Sequence, residues 1–153
     1  MKSARNKITD AVIEGILPWI DKNLSDESIR VRTVTERSGY GHWHFQRLFR
    51  QGTGINLAAY IRLRRIARAA HLIAFTNKGM LEIAVENGFS CQQNFTRTFK
   101  SYFAITPTQF RRKYANRAEA FRILTEELYN HHELASSVKL SSAVNLTFTP
   151  RQQ

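Results

Sequence analysis

A unit of about 50 residues occurs twice in this chain, an arrangement that puts inside one polypeptide what other proteins obtain by pairing two copies. Val34/Ile83, Gly39/Gly88 and Tyr40/Phe89 stand about 49 positions apart, whereas Phe45/Phe95, Arg47/Arg97, Phe49/Phe99, Ile55/Ile105 and Tyr60/Phe110 stand about 50 apart. One inserted residue separates the two registers.

The apolar period within and between the copies is helical. Ile13, Ile16, Leu17, Ile20 and Leu24 follow i, i+3, i+4, i+7 spacing, with Pro18 expected to kink that helix or begin its regular part. Thr33-Val34-Thr35-Glu36 has the form of a capping box opening a short helix that ends near Gly39. His42 to Arg50 then turns Phe45, Leu48 and Phe49 to one side and Trp43, Gln46, Arg47 and Arg50 to the other. Asn56 can cap a long helix to about Phe75, carried by Leu57, Tyr60, Ile61, Ile66, Ala69, Ala70 and Ile73. The second copy has a short helix from Met80 to Glu86, a stop at Asn87-Gly88 and a stripe of Phe95, Phe99 and Phe103. Ser90-Cys91-Gln92-Gln93 and Thr106-Pro107-Thr108-Gln109 are compatible with capping boxes. Ala118 to His132 can form one more helix, and from Ser136 the chain suggests a short strand or a loose end. Up to that tail the expected fold is all-α.

Composition narrows the function. The chain has 153 residues, 42% hydrophobic and 23% charged, enough to bury one core or two very small ones. A single Cys excludes a disulfide framework and suits a reducing cytoplasm. The start, Met1 to Lys7 followed by Thr9, Asp10 and Glu14, lacks the apolar stretch of a leader, and no run of 18 apolar residues occurs. A cytoplasmic protein without membrane association is expected. The net charge of +11 and pI near 10.4 attract polyanions. From Arg117 onward Arg117, Arg122, Lys139 and Arg151 cancel Glu119, Glu126, Glu127 and Glu133, so the whole excess lies in residues 1–116.

The exposed faces of the two central helices carry matched hydrogen-bonding groups. Arg suits guanine O6/N7, Gln or Asn suits adenine N6/N7, and Thr or aromatic carbon suits the thymine methyl. One helix offers Trp43, Gln46 and Arg47, and the other offers Gln92, Gln93, Thr96 and Arg97. Gln93 could also cap its helix, and Trp43 could turn partly into the core.

With these motifs in view, the segment from Leu17-Pro18-Trp19-Ile20 through Ser38-Gly39-Tyr40-Gly41-His42-Trp43-His44-Phe45-Gln46-Arg47-Leu48-Phe49, and Gly88-Phe89-Ser90-Cys91-Gln92-Gln93-Asn94-Phe95-Thr96-Arg97-Thr98-Phe99-Lys100 to Thr106-Pro107, resembles the DNA-binding domain of AraC/XylS-family transcription regulators. It looks most like the short MarA/SoxS/Rob group, over roughly residues 10–115. The resemblance implies two helix-turn-helix subdomains joined by a long linker helix, bound as a monomer to an asymmetric double-stranded promoter site. It implies stress-related activation through recruitment of RNA polymerase. Trp43, Gln46 and Arg47, then Gln92, Gln93, Thr96 and Arg97, would meet base edges. Asn94 joins them, standing where close relatives often have Thr. Arg37, Arg50, Arg62, Lys100 and the amides following Thr106 would contact phosphates, which position the protein without choosing the sequence.

The expected division is an N-terminal arm over 1–10, a first subdomain over 11–54, the linker helix over 55–76, a second subdomain over 77–115 and an extension of unassigned role over 116–153. Neither end is long enough for an effector domain, so no small-molecule effector is expected. His42 and His44 flank Trp43, and His131 and His132 are adjacent. Neither pair has Cys, Asp or Glu at ligand spacing, so no metal is expected. Cys91, in the first turn of a helix, could sense redox state or merely be small enough to sit beside DNA. No nucleophile and base, phosphate loop or acidic pair points to an enzyme or a cofactor. The competing readings are a factor that acts chiefly by binding RNA polymerase or another regulator, and a repressor using the same DNA contacts.

Overall fold

The longest run of buried positions forms the axis of the molecule. The computed structural model describes residues 4–132, with side chains from Lys7 onward. Eight α-helices and no strand occur among them. The segment 133–153, where a strand or loose end is expected, lies outside the described residues. Helix α4, Leu57–Phe75, opens at Asn56, whose side chain accepts from the Ala59 amide at 2.8 Å. At 1.5 Å per residue it runs about 28 Å.

Two cores share this helix. Leu57, Tyr60, Ile61, Leu63 and Ala67 face the first, with α1 (Ala4–Lys22), α2 (Val31–Ser38) and α3 (His42–Thr53). Ile66, Ala69, Ala70, Ile73 and Ala74 face the second, with α5 (Met80–Glu86), α6 (Gln92–Phe103) and α7 (Pro107–Tyr114). A helix apolar on so many sides is stable only when covered on both, which the duplicated units accomplish. The repeat holds in three dimensions. Val34/Ile83, Phe45/Phe95, Phe49/Phe99 and Tyr60/Phe110 are all buried. Ring centroids lie 6.1 Å apart for Phe45 and Phe49 and 5.8 Å apart for Phe95 and Phe99. Each such buried ring contributes roughly 1.5–3 kcal/mol.

Local details depart from the sequence expectation in three places. α2 starts at Val31, not at Thr33, and its N-cap Arg30 makes no side-chain cap. The Thr33 hydroxyl donates to Ser28 O at 3.1 Å, so its oxygen is turned back toward the loop. α1 begins at Ala4, within the segment expected as an arm, and passes through Pro18 without starting there. The Ser90–Gln93 box is replaced by Cys91, whose Sγ accepts from the Asn94 amide at 3.4 Å. Thr106 and Gln109, by contrast, form a full capping box.

The turn glycines have different surroundings. Gly39 and Gly88 both have positive φ, 78° and 80°, which favours the residue without a Cβ. A Cβ on Gly39 would meet nothing within 4 Å, whereas one on Gly88 would lie 2.8 Å from Leu24 O and from Arg65 Nε. The second turn therefore rests directly on the first subdomain. Arg65 completes that contact by donating to the carbonyls of Leu24, Asp26 and Ile29.

Helix α8, Ala118–His131, runs back along α4. The Asn116 amide before it donates to Ala74 O at 3.0 Å. Phe121 packs edge-on to Phe75 and His71, and Leu128 and Tyr129 enter the first core.

Candidate nucleic-acid interface

The two Phe pairs that anchor α3 and α6 determine which residues each helix turns outward. With Phe45 and Phe49 inward, Trp43, Arg47 and Arg50 are exposed and Gln46 is half-buried. With Phe95 and Phe99 inward, Gln92, Gln93, Asn94, Arg97 and Lys100 are exposed and Thr96 is half-buried. The pattern of burial is nearly the same along both helices; the side chains on it are not. Trp43 is 76% exposed and so lies outside the core. Its ring meets the edge of His42 at 5.0 Å.

Gln46 is held in place. Thr35 Oγ1 donates to Arg32 O at 3.0 Å and so accepts from His42 Nδ1–H at 2.8 Å. His42 Nε2 is left to accept from Gln46 Nε2–H at 3.1 Å. One amide hydrogen of Gln46 is thereby used, which leaves the second and Oε1 to meet a base. From the sequence His42 is considered only for a metal, yet its i, i+4 spacing to Gln46 is the signal of this role. In the second copy Gln92 and Thr96 occupy the equivalent positions, so the relay belongs to α3 alone.

The expected phosphate contacts have mixed surroundings. Arg50, Arg62 and Lys100 are exposed, and exposed Arg37 sits over the Trp19 ring at 5.6 Å. Burial raises the pKa of Tyr102 against the pull of the nearby Arg62 charge. Thr106 is largely occupied. Its amide donates to Gln109 Oε1 at 2.9 Å and its Oγ1 accepts from the Gln109 amide at 3.2 Å. Pro107 has no amide hydrogen, which leaves the Thr108 N–H and the Thr106 hydroxyl hydrogen at this helix start.

Not all the positive charge is available to a polyanion. Arg64 is 1% exposed and bound to Asp21 and Tyr129. Arg65 caps the carbonyls at the α1–α2 loop, and Arg111 donates to Ile73 O and Lys78 O. These three arginines are structural, a use that neither the run Arg62 to Arg68 nor the pair Arg111-Arg112 reveals in sequence. Among the described residues no group of three His, Cys, Asp or Glu could hold a metal ion, and no helix is long and apolar enough to cross a membrane.

Residues 34–113 match the family described as Helix-turn-helix domain. The span runs from within α2 into the last turn of α7 and stops before α8. The transposon Tn10 TetD protein of Escherichia coli is 48% identical over 101 residues, covering 66% of this chain and 72% of that protein. The multiple antibiotic resistance protein MarA of Salmonella typhimurium is 44% identical over 110 residues, covering 71% of this chain and 84% of that protein. In three dimensions the chain is similar to a transcriptional regulator of the AraC-type DNA-binding class from Chromobacterium violaceum. The TM-score is 0.63 at 25% identity, over 70% of this chain and 95% of the other. Two helix-turn-helix units on one shared helix, with these relatives, mean that the chain belongs to the AraC/XylS family of DNA-binding transcription regulators, close to the MarA group.

Proposed function

We propose that this regulator reads an asymmetric promoter site as a monomer, with α3 and α6 entering successive major grooves on one face of the duplex. Trp43, Gln46 and Arg47 meet base edges in one groove. Gln92, Gln93, Asn94, Thr96 and Arg97 meet them in the next. Arg37, Arg50, Arg62, Lys100 and the helix start after Thr106 hold phosphates. The protein acts in the cytoplasm as an activator, recruiting RNA polymerase to promoters of a stress response.

One observation carries the reading: two helices with the same buried pattern expose different hydrogen-bonding sets. Equal cores supply equal docking, and unequal faces give an asymmetric site. The about 28 Å of α4 is comparable with the ~34 Å between successive major grooves.

Selection of bound duplexes from a random pool tests it. The expected product is a non-palindromic site with two conserved blocks about one helical turn apart. A palindrome, or recovery of a single block, overturns the monomeric two-groove reading. Transcription from the recovered site with purified polymerase tests activation, and reduced transcript on adding the protein identifies a repressor instead.

A further inference from the structure

We infer that α8 is a brace that fixes the angle between the two DNA-reading subdomains and so sets which spacing between the two half-sites the protein accepts. The inference rests on the two-groove reading above. It concerns a helix beyond the span 34–113 that matches the family, and it assigns Phe121, Leu128 and Tyr129 as positioning residues.

The junction to be braced lies in the middle of α4. There the buried residues change allegiance: Leu63 and Ala67 belong to the first core, and Ile66 and Ala69 to the second. Each subdomain is packed against its own half of this helix. A bend or twist near Ile66–Ala67 moves one reader relative to the other; it is opposed by the Gly88 turn resting on Leu24 O, by Tyr102 and Phe103 of α6, which pack against both cores, and by α8. α8 crosses that junction. At its start Asn116 is tied to Ala74 O, and Phe121 lies against His71 and Phe75 with centroids 5.7 and 5.2 Å away. At its end Leu128 and Tyr129 are buried in the first core. The Tyr129 hydroxyl accepts from Arg64 Nη1 at 2.5 Å, and Arg64 Nε holds Asp21 of α1 at 3.0 Å. A single rigid helix thus grips one subdomain with Phe121 and the other with Tyr129.

The functional consequence follows from linkage. Two readers on one frame gain affinity because the second binds at high effective concentration, and the gain vanishes where geometry forbids joint engagement. A stiff frame gives steep dependence on half-site spacing, and a soft frame gives shallow dependence with weaker binding at the best spacing. Each base pair added between half-sites displaces the far groove by roughly 3.4 Å along the axis and rotates it about the duplex. The braced molecule cannot follow such a change without breaking a buried contact.

The test uses the full chain. Binding is measured to the selected duplex, to versions with one or two base pairs inserted or deleted between half-sites, and to a duplex retaining one half-site at low salt. Variants are Tyr129→Phe, which keeps the ring buried, and Leu128→Ala/Tyr129→Ala, with helicity checked by circular dichroism at the assay temperature. Wild type is expected to lose about tenfold or more per base pair of altered spacing. The double variant is expected to lose about tenfold on the parent duplex, stay within about twofold on the single half-site and show a flattened spacing profile. Tyr129→Phe shifts the profile in the same direction by less. A folded variant with the wild-type profile overturns the brace, as does an equal loss on parent and single half-site duplexes, which indicates a damaged reader. If wild type binds selectively but is indifferent to spacing, the two-groove reading itself fails.

Discussion

Arg64 Nη1 donates to the Tyr129 hydroxyl at 2.5 Å, joining the middle of α4 to the end of α8 across 65 positions of sequence. The arginine is 1% exposed and its Nε donates to Asp21 at 3.0 Å. Burying a guanidinium is costly unless its donors are occupied, so each partner has a separate effect on stability. Tyr129→Phe leaves one buried donor unmet and is expected to cost about 1–3 kcal/mol. Asp21→Ala removes the countercharge and is expected to cost more, about 3–5 kcal/mol. Urea unfolding of the two variants checks the order. A larger loss for Tyr129→Phe contradicts the assignment of Asp21 as the principal partner.

The two turn glycines predict unequal responses to one substitution. Gly39→Ala meets open space, so its cost is that of a positive φ in a residue with a Cβ, about 1–2 kcal/mol. Gly88→Ala adds a clash at 2.8 Å with Leu24 O, a backbone atom that cannot swing away, and overpacking adds about 1–3 kcal/mol. Thermal unfolding should therefore give a clearly lower midpoint for the second variant. Equal midpoints argue that the second turn does not press on the first subdomain.

A third stability prediction compares the ends of α3 and α6. Gly54 caps the first with φ 82°, and Ala104 caps the second with φ 63°. Ala104 is exposed, so its left-handed conformation is strained without any packing in return. Ala104→Gly is expected to stabilise the protein by about 0.5–1 kcal/mol, the strain relieved less the extra unfolded-state entropy of glycine. A loss of stability in denaturant melts rules this out.

How much of this can be read in advance depends on how local the determining contacts are. Asn56, Gly39 and the Thr106–Gln109 box act within one turn of helix, and each does in the fold what its residue type suggests. Thr33 fails as a cap because α2 begins earlier, at Val31, which puts Thr33 in the first turn, with its hydroxyl donating back to Ser28 O. Arg64 is indistinguishable in sequence from exposed Arg62. Its fate is decided by Asp21 and Tyr129, 43 and 65 positions distant. The same holds for α8, whose helical period is legible but whose two attachments are long-range. At the interface, the outward residues of α3 and α6 follow from the Phe stripes. The tether on Gln46 needs Thr35 of another helix to be seen.

That tether makes a prediction about reading. His42→Ala frees the Gln46 amide that His42 Nε2 now accepts from at 3.1 Å. The released side chain must be ordered again on binding, at about 0.5–1.5 kcal/mol for one flexible group. Affinity for the selected site should fall by roughly threefold to tenfold, with the base preference relaxed at the position met by Gln46 alone. A substitution at the equivalent position of α6, Gln92→Ala, should alter a different base position. Competition binding with single-base variants of the site distinguishes the two. Uniform weakening at every position by His42→Ala contradicts the positioning role.

Base-reading and phosphate-binding residues should separate by salt and sequence dependence, since the two kinds of contact differ physically. Arg47→Ala and Arg97→Ala each remove a group suited to guanine O6/N7, and each is expected to cost about 1–3 kcal/mol while relaxing specificity at one position. Lys100→Ala removes a charge at the exposed edge of α6. It should weaken selected and unrelated duplexes alike and reduce the slope of log K against log salt by about 1. Titrations of both duplexes at several salt concentrations measure both quantities. If Lys100→Ala changes the preferred base, or if Arg47→Ala and Arg97→Ala weaken all duplexes equally, the division between reading and holding residues is drawn in the wrong place. The arginines would then act through charge alone, and the different faces of α3 and α6 would not be the source of an asymmetric site.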